Sequence, residues 1–231
     1  MNISDNINAI RDKITQAEKN GHRQPGSVLL LAVSKQHSVE SITEAFNNGI
    51  CDFGENYFQE AEKKINQLRH LPLCWHFIGP IQSNKTKGIA TLFHWVHSVD
   101  RLKIAKLLSE HRPKDLPPIN VCLQINLAKE LTKSGVSGTE AMELADTVRQ
   151  LPHLNLRGLM TIPPPMSDPQ KQYDLFLELN QLMHSINKQL HLEMDTLSMG
   201  MSDDLLPAIK AGSTIVRIGR AIFGERQGLS L

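Results

Sequence analysis

The sequence predicts a (β/α)8 TIM barrel with one additional helix at its N-terminus. Short, partly β-branched apolar runs recur eight times along the 231 residues. Each is followed by a segment of helical period, the pattern of parallel βα units. Right-handed crossovers then leave an open doubly wound sheet or a closed barrel, and eight repeats favour the barrel, although about 200 residues is compact for it. No Gly/Ser linker or shift in composition divides the chain. Residues 1–231 therefore read as one domain, with a helix over 1–21 and the barrel over 27–224.

The first segment repeats Ile3, Ile7, Ile10, Ile14 and Ala17 on one helical face, and Gly21 is placed to end it in a left-handed conformation. Strand Val28–Ser34 is followed by a helix carrying Val39, Ile42 and Phe46, stopped at Asn48-Gly49. A short strand, Ile50–Phe53, precedes a helix carrying Tyr57, Ala61, Ile65 and Leu68. Trp75–Gly79 is the third strand, with a helix over Ser83–Leu92 that Ser83 can cap. Trp95–Val99 is the fourth, with a helix at Leu102, Ala105 and Leu108 ended by Pro113. Ile119–Ile125 is the fifth. Ser134-Gly135 then leads to a capping box, Ser137-x-x-Glu140, and a helix running to Gln150. Leu156–Met160 is the sixth strand. Asp168-Pro169 starts a long helix with Leu175, Leu179, Leu182 and Ile186 on one face. Asp195–Ser198 and Thr214–Ile218 complete the eight.

Apolar residues make up 40% and charged residues 21%, ordinary for a soluble domain with a substantial core. A net charge of +1 without a basic cluster gives no footprint for nucleic acid. No apolar stretch approaches the roughly 20 residues of a spanning helix, and Met1–Asp5 lacks the basic start of a signal peptide. Cys51, Cys74 and Cys122 read as buried, reduced thiols of a cytoplasmic protein, without bridges or a metal site. No pair among the ten histidines has a familiar zinc spacing with an acidic partner; His94 and His97, three apart, share no strand face and read as surface or core polar residues.

Lys35 closes the first apolar run, which reads as a strand buried on both faces. It lies at the C-terminal end of that strand, the active face of such barrels. A lysine held on a rigid element and desolvated by its neighbours suits a nucleophilic amine. The plain alternative is a lysine whose stem lies along apolar surface as it leads into solvent.

Two glycine-containing turns follow the last two strands, Ser198-Met199-Gly200-Met201-Ser202-Asp203-Asp204 and Arg217-Ile218-Gly219-Arg220-Ala221-Ile222-Phe223-Gly224. Glycine lets backbone N–H groups approach an anion, and barrels often hold a phosphate between these loops. Ser202 is also placed to cap the helix that follows, with Asp203 and Asp204 complementing its dipole. A lysine at strand one and a phosphate cradle after strands seven and eight fit pyridoxal 5′-phosphate (PLP), which brings an aldehyde and a phosphate. Arg217 needs a partner inside a barrel mouth. Facing a pyridine nitrogen it could only donate, leaving a poor electron sink. Its alternative is an ion pair with Asp52, Glu55 or Asp195.

Ala32–Lys35, Phe53–Tyr57, Trp75–Lys85, Ser198–Asp204 and Arg217–Gly219, in that order, resemble the pyridoxal phosphate homeostasis protein family, and the likeness runs from the first helix to Gly224. The resemblance implies a fold-type III barrel like the N-terminal domain of alanine racemase. It implies a Schiff base to PLP at Lys35, a cofactor contact from Asn56, phosphate contacts near Ser202 and Gly219, Met199 and Arg220 among the cofactor residues, and Arg217 at the ring nitrogen. Two departures stand out. Arg220 occupies a position where many relatives carry Thr or Ser, and Pro207 falls about five residues into the helix that Ser202 would start, predicting a local distortion.

Racemase chemistry needs acid/base groups on both faces of the cofactor, and the chain ends at Leu231, seven residues after Gly224, without a second domain to supply one. The expected function is a non-catalytic PLP carrier that controls free cofactor and, indirectly, amino-acid and keto-acid pools. No catalytic residue and no metal is expected; the partners would be PLP and PLP-requiring apo-enzymes, not nucleic acid or membrane. An amino-acid racemase with its second acid/base among Tyr57, His76 and Lys85 is the alternative, and a cofactor-free Schiff-base aldolase is a third reading.

Overall fold

The computed structural model describes residues 2–127 and 134–225. Eight parallel strands close into a barrel in chain order, with the last pairing back to the first. They are β1 (Leu29–Val33), β2 (Asp52–Glu55), β3 (Cys74–Phe77), β4 (Trp95–Val99), β5 (Ile119–Gln124), β6 (Leu154–Met160), β7 (Thr196–Ser198) and β8 (Ile215–Ile218). Helix α1 (Ile3–Asn20) precedes them; α2 (Val39–Asn47), α3 (Phe58–Gln67), α4 (Thr86–Leu92), α5 (Leu102–His111), α6 (Gly138–Val148), α7 (Pro169–Leu190), α8 (Leu205–Lys210) and α9 (Arg220–Phe223) follow successive strands. The predicted barrel with its added helix is the fold observed.

Alternation along the strands divides the core in two. Leu30 and Ala32 of β1 face outward into the apolar layer shared with the helices, where Phe53, Phe77, Phe93 and Phe176 are fully or nearly fully buried. Leu31 and Val33 face inward and form a small separate cluster with Ile78 and Ile215. Helix starts follow their caps: Ser137 and Glu140 make the reciprocal capping box of α6, and Asp168 accepts from the Gln170 and Lys171 N–H groups with Pro169 at the first helical position. No helix among the described residues is long and apolar enough to cross a membrane.

Several expectations require correction. Gly21 is not left-handed (φ −87°); His22, at φ 51°, makes the turn instead. β2 starts two residues later than predicted, because the Ile50 N–H bonds back to Ala45 O and Gly49, at φ 79°, completes the end of α2. The segment Ser83–Lys85 is a 3₁₀ turn before α4, and the Ser83 carbonyl accepts from Thr86 Oγ1, so Ser83 is not the cap. Tyr57 precedes α3 and is 52% exposed, off the buried face. Ser202 caps nothing, since α8 starts at Leu205 with Asp204 before it. Pro207 is then the third helical residue, where an N–H has no intrahelical acceptor, so it removes no helical hydrogen bond. Of the cysteines only Cys122 is buried; Cys51 is exposed and Cys74 half-buried.

Candidate functional site

β1 delivers Lys35 through a tight turn that α3 holds from behind. The buried Lys64 ammonium donates to the Ser34 carbonyl (2.7 Å), to Glu55 Oε1 (2.8 Å) and to Glu60 Oε1 (2.6 Å). Ser34 Oγ donates to the same Glu55 oxygen at 2.7 Å, and the Gln36 N–H to Glu60 at 2.5 Å. Both neighbours of Lys35 are thereby fixed, with Gln36 at φ 62°. Burial raises the Glu55 carboxyl above its ordinary range, although Lys64 and Ser34 pull it down. Burial prevails because Glu55 is fully enclosed, and its second oxygen has no partner among the described residues.

Asn56 follows β2 and faces the same mouth. Its Oδ1 is buried and, among the described residues, unpartnered. Such an atom ordinarily costs free energy unless a ligand or water meets it. The Trp75–Lys85 block explains how Asn56 is placed. Trp75 and Phe77 are outward core, while Ile78 lines the cleft beside Asn56. A Cβ on Gly79 would lie 2.0 Å from the Asn56 carbonyl oxygen, so only glycine permits this backbone contact. Ser98 Oγ anchors the Gly79 carbonyl at 2.5 Å.

Arg217 is fully enclosed inside the barrel and lines the cleft floor. Nη1 donates to Ser198 Oγ and Nη2 to the Thr161 carbonyl, both at 2.8 Å. None of its three predicted ion-pair partners reaches it: Asp52 meets His76, Glu55 meets Lys64 and Asp195 meets Arg157. Burial pushes the guanidinium down to about 10, with Asp204 opposing, which leaves it a cation at neutral pH.

Beneath Arg217 a polar chain crosses the barrel interior. Ser198 Oγ lies 2.7 Å from His97 Nδ1, His97 Nε2 2.9 Å from His76 Nδ1, and His76 Nε2 3.0 Å from Asp52 Oδ1. Its proton positions follow from its ends. Arginine can only donate, so Ser198 accepts and passes its one proton to His97 Nδ1. His97 then donates from Nε2, and His76 from Nε2 to the Asp52 carboxylate. Both imidazoles are held neutral: burial depresses His97 well below its ordinary value, helped by His76 and Arg217, and depresses His76 against the pull of Asp52.

The described residues enclose a cleft of about 200 Å³ among Lys35, Asn56, Arg217, Ser202, Asp203, Gly219 and Arg220, walled by Val33, Ile78, Ile162 and Met201. A second cavity of about 320 Å³ shares Asn56, Ile78 and Ile162 with it. Six of the seven predicted cofactor residues thus meet. Met199 does not; it is fully buried in the outer core, and Met201 takes its place on the wall. Three cations face one carboxylate, Asp203, which suits an anion. Gly200, at φ 96°, carries the first turn and accepts the Arg217 N–H at 2.9 Å, tying that turn to β8. An amine, a positive surround and an unsatisfied buried amide together fit an aldehyde-bearing phosphate such as PLP.

Sequence reasoning missed the Lys64 clamp and the histidine chain. Lys64 sits between Ala61 and Ile65 on the apolar face of α3, a charge on a buried stripe that was the available signal. His97 is wholly buried between Val96 and Ser98 on an interior strand face, and His76, whose register partner on β4 is Trp95, reaches it through its ring nitrogen. No linear spacing announces that pairing.

Residues 4–227 match the family described as alanine racemase, N-terminal domain. Over 224 residues the chain is 53% identical to the pyridoxal phosphate homeostasis protein of Pseudomonas aeruginosa, covering 97% of this chain and 96% of that one. The Escherichia coli K12 protein of the same name is 47% identical over 227 residues, 97% of each chain. PipY of Synechococcus elongatus PCC7942, solved with PLP bound, is similar at TM-score 0.85 and 33% identity over 96% of this chain and all of its own. Alanine racemase from Corynebacterium glutamicum is similar at TM-score 0.70 and 20% identity, with 62% of its length covered, a likeness of fold alone.

Proposed function

Since the chain belongs to the alanine racemase N-terminal domain family and, within it, to the pyridoxal phosphate homeostasis proteins, we propose that it is a non-catalytic carrier of PLP. Its role is to set the level of free cofactor in the cytoplasm, and through it amino-acid and keto-acid pools, with PLP-requiring apo-enzymes as recipients. When bound, PLP supplies an aldehyde that can pass reversibly from one amine to another without breaking a carbon bond. Lys35 would hold that aldehyde, Asn56 would orient the ring, and Ser202, Gly219 and Arg220 would take the phosphate. Arg217 would meet the ring nitrogen and, having no acceptor, would keep it free of a proton.

The observation that carries the reading is Arg217, a cation locked by Ser198 and Thr161 in the same cleft as Lys35. An unprotonated ring is a weak electron sink, and proton abstraction from an amino acid depends on that sink. The racemase reading finds none of its three named acid/base candidates on the cleft wall. Tyr57, His76 and Lys85 all lie off the cleft wall, His76 deep in the barrel and Lys85 over the Phe58 ring at 6.0 Å. Against the aldolase reading, PipY, 33% identical, was solved with PLP bound.

The test is to load the purified chain with PLP, reduce with borohydride and map the modified peptide by mass. The pyridoxyl group is expected on Lys35, and Lys35→Ala should lose the visible absorbance while staying folded. A modified Lys85 or Lys210 with Lys35 untouched would refute the assignment.

A further inference from the structure

The histidine chain ends at the opposite mouth of the barrel, where the known cofactor chemistry has no use for it. Asp52 is the first residue of β2 and Cys74 the first of β3, and these two residues pair in the sheet. Parallel registry therefore sets their side chains together, and His76, two residues beyond Cys74 on the same strand, joins them. Cys74 Sγ lies 3.4 Å and Asp52 Oδ1 3.0 Å from His76 Nε2. All three donor atoms fall within 4.8 Å of one another.

We propose that Asp52, Cys74 and His76 form a binding site for a divalent metal ion of the zinc class. The donor set is the first ground: one thiolate, one imidazole and one carboxylate is the mixture that tetrahedral zinc takes, and the thiolate selects against magnesium or calcium. Spacing is the second. Bonds of about 2.3 Å to sulfur and about 2.0–2.2 Å to nitrogen and oxygen place tetrahedral donors roughly 3.4–3.6 Å apart. The observed separations of 3.4 and 3.0 Å are within about half an ångström of that.

The surroundings meet the remaining requirements of a metal site. A ligating histidine needs its other nitrogen held, and His76 Nδ1 faces His97 Nε2 at 2.9 Å. With the metal on Nε2 the ring proton moves to Nδ1 and is donated to His97. His97 in turn donates from Nδ1 to Ser198, which has lone pairs for both His97 and Arg217. A cavity of about 550 Å³ between α1 and the N-terminal ends of β1 and β2 reaches the cluster at Asp52, beside the exposed Cys51. Three protein donors leave the fourth position to water from that cavity. The thiol proton leaves to solvent as the Cys74–metal bond forms.

Titration of the purified full chain with Zn²⁺ against a chromogenic chelator tests this, with Co²⁺ as a spectroscopic probe. One ion per chain is expected, with a thiolate-to-cobalt charge-transfer band. Cys74→Ser and Asp52→Asn should each weaken binding by about 100-fold or more, and His97→Gln by about 10- to 100-fold, as outer-shell partners do. Asp52→Asn keeps a hydrogen-bond acceptor for His76, so that variant should fold even if the cysteine variant does not; circular dichroism checks both. Cys51→Ser should leave binding unchanged. Absence of stoichiometric binding, a cobalt spectrum without the thiolate band, or loss of binding only in Cys51→Ser would overturn the site and leave a plain hydrogen-bonded triad.

Discussion

Ser198→Ala interrupts the interior chain at its centre, and the structure sets the size of the effect. The hydroxyl sits between Arg217 Nη1 at 2.8 Å and His97 Nδ1 at 2.7 Å, with all three residues buried. A hydrogen bond to a charged group contributes about 1.5–3 kcal/mol, and an orphaned buried acceptor costs about 1–3 kcal/mol. Arg217 keeps its bond to the Thr161 carbonyl, so the lower half of the combined range applies, about 3 kcal/mol. At roughly 2–4 °C per kcal/mol for a chain of this size, Tm should fall by about 6–12 °C. Differential scanning calorimetry of the cofactor-free protein is the assay. Ser198→Thr retains the hydroxyl and should recover most of the loss. Thr196→Val, on the same strand, loses only a bond to the exposed Asp195 and should cost about 1 kcal/mol or less. A Tm drop for Ser198→Ala no larger than that control would refute the reasoning.

Three further outcomes are expected. Asn56→Ala should weaken PLP retention by about tenfold or more, while the cofactor-free protein stays as stable as the parent or gains, because the unmet Oδ1 is gone; equal affinity measured by fluorescence titration would count against its role. Gly79→Ala must displace the Asn56 backbone, so it should lower both Tm and PLP affinity, whereas a variant with parental affinity would show that Asn56 is not positioned by this contact. Asp204→Asn bears on pH. Burial raises the Asp204 carboxyl above its ordinary value, with the Met201 N–H and Arg217 opposing. A raised carboxyl favours the folded state fully below its unfolded value and loses that contribution as pH climbs through the folded one. The asparagine should therefore be the more stable form at pH 7 and the two should converge near pH 3, as read by urea unfolding; lower stability at pH 7 would contradict the sign.

The barrel was legible because its signals are local and repeated. Leu29–Val33 is apolar on both faces, Ile119–Gln124 alternates Ile119, Val121 and Leu123 on one, and caps such as Ser137 and Asp168 mark helix starts through contacts within four residues. Lys35, Asn56 and Arg217 could be read because each stands at or just past a strand end, and a barrel gathers those ends at one mouth. Met199 does not line the cleft because past the end of β7 its side chain turns outward into the core, and Met201 turns to the cleft. The Lys64 clamp and the chain from Arg217 to Asp52 stayed hidden because the first joins α3, β2 and the turn after β1, and the second joins five different strands. Closure of the sheet brings Ser198 within 2.7 Å of His97, 101 residues away, and nothing in the linear order encodes that distance.

The most direct test of a carrier that does not turn over its ligands is deuterium exchange at the α-carbon. PLP-loaded protein is incubated with L- or D-alanine in D₂O, and the amino acid is read by proton NMR. If Arg217 holds the ring nitrogen unprotonated, and with Tyr57, His76 and Lys85 all off the cleft wall, incorporation should not exceed that given by free PLP at the same concentration. Rapid exchange that disappears in Lys35→Ala would contradict the account and establish catalysis at this site.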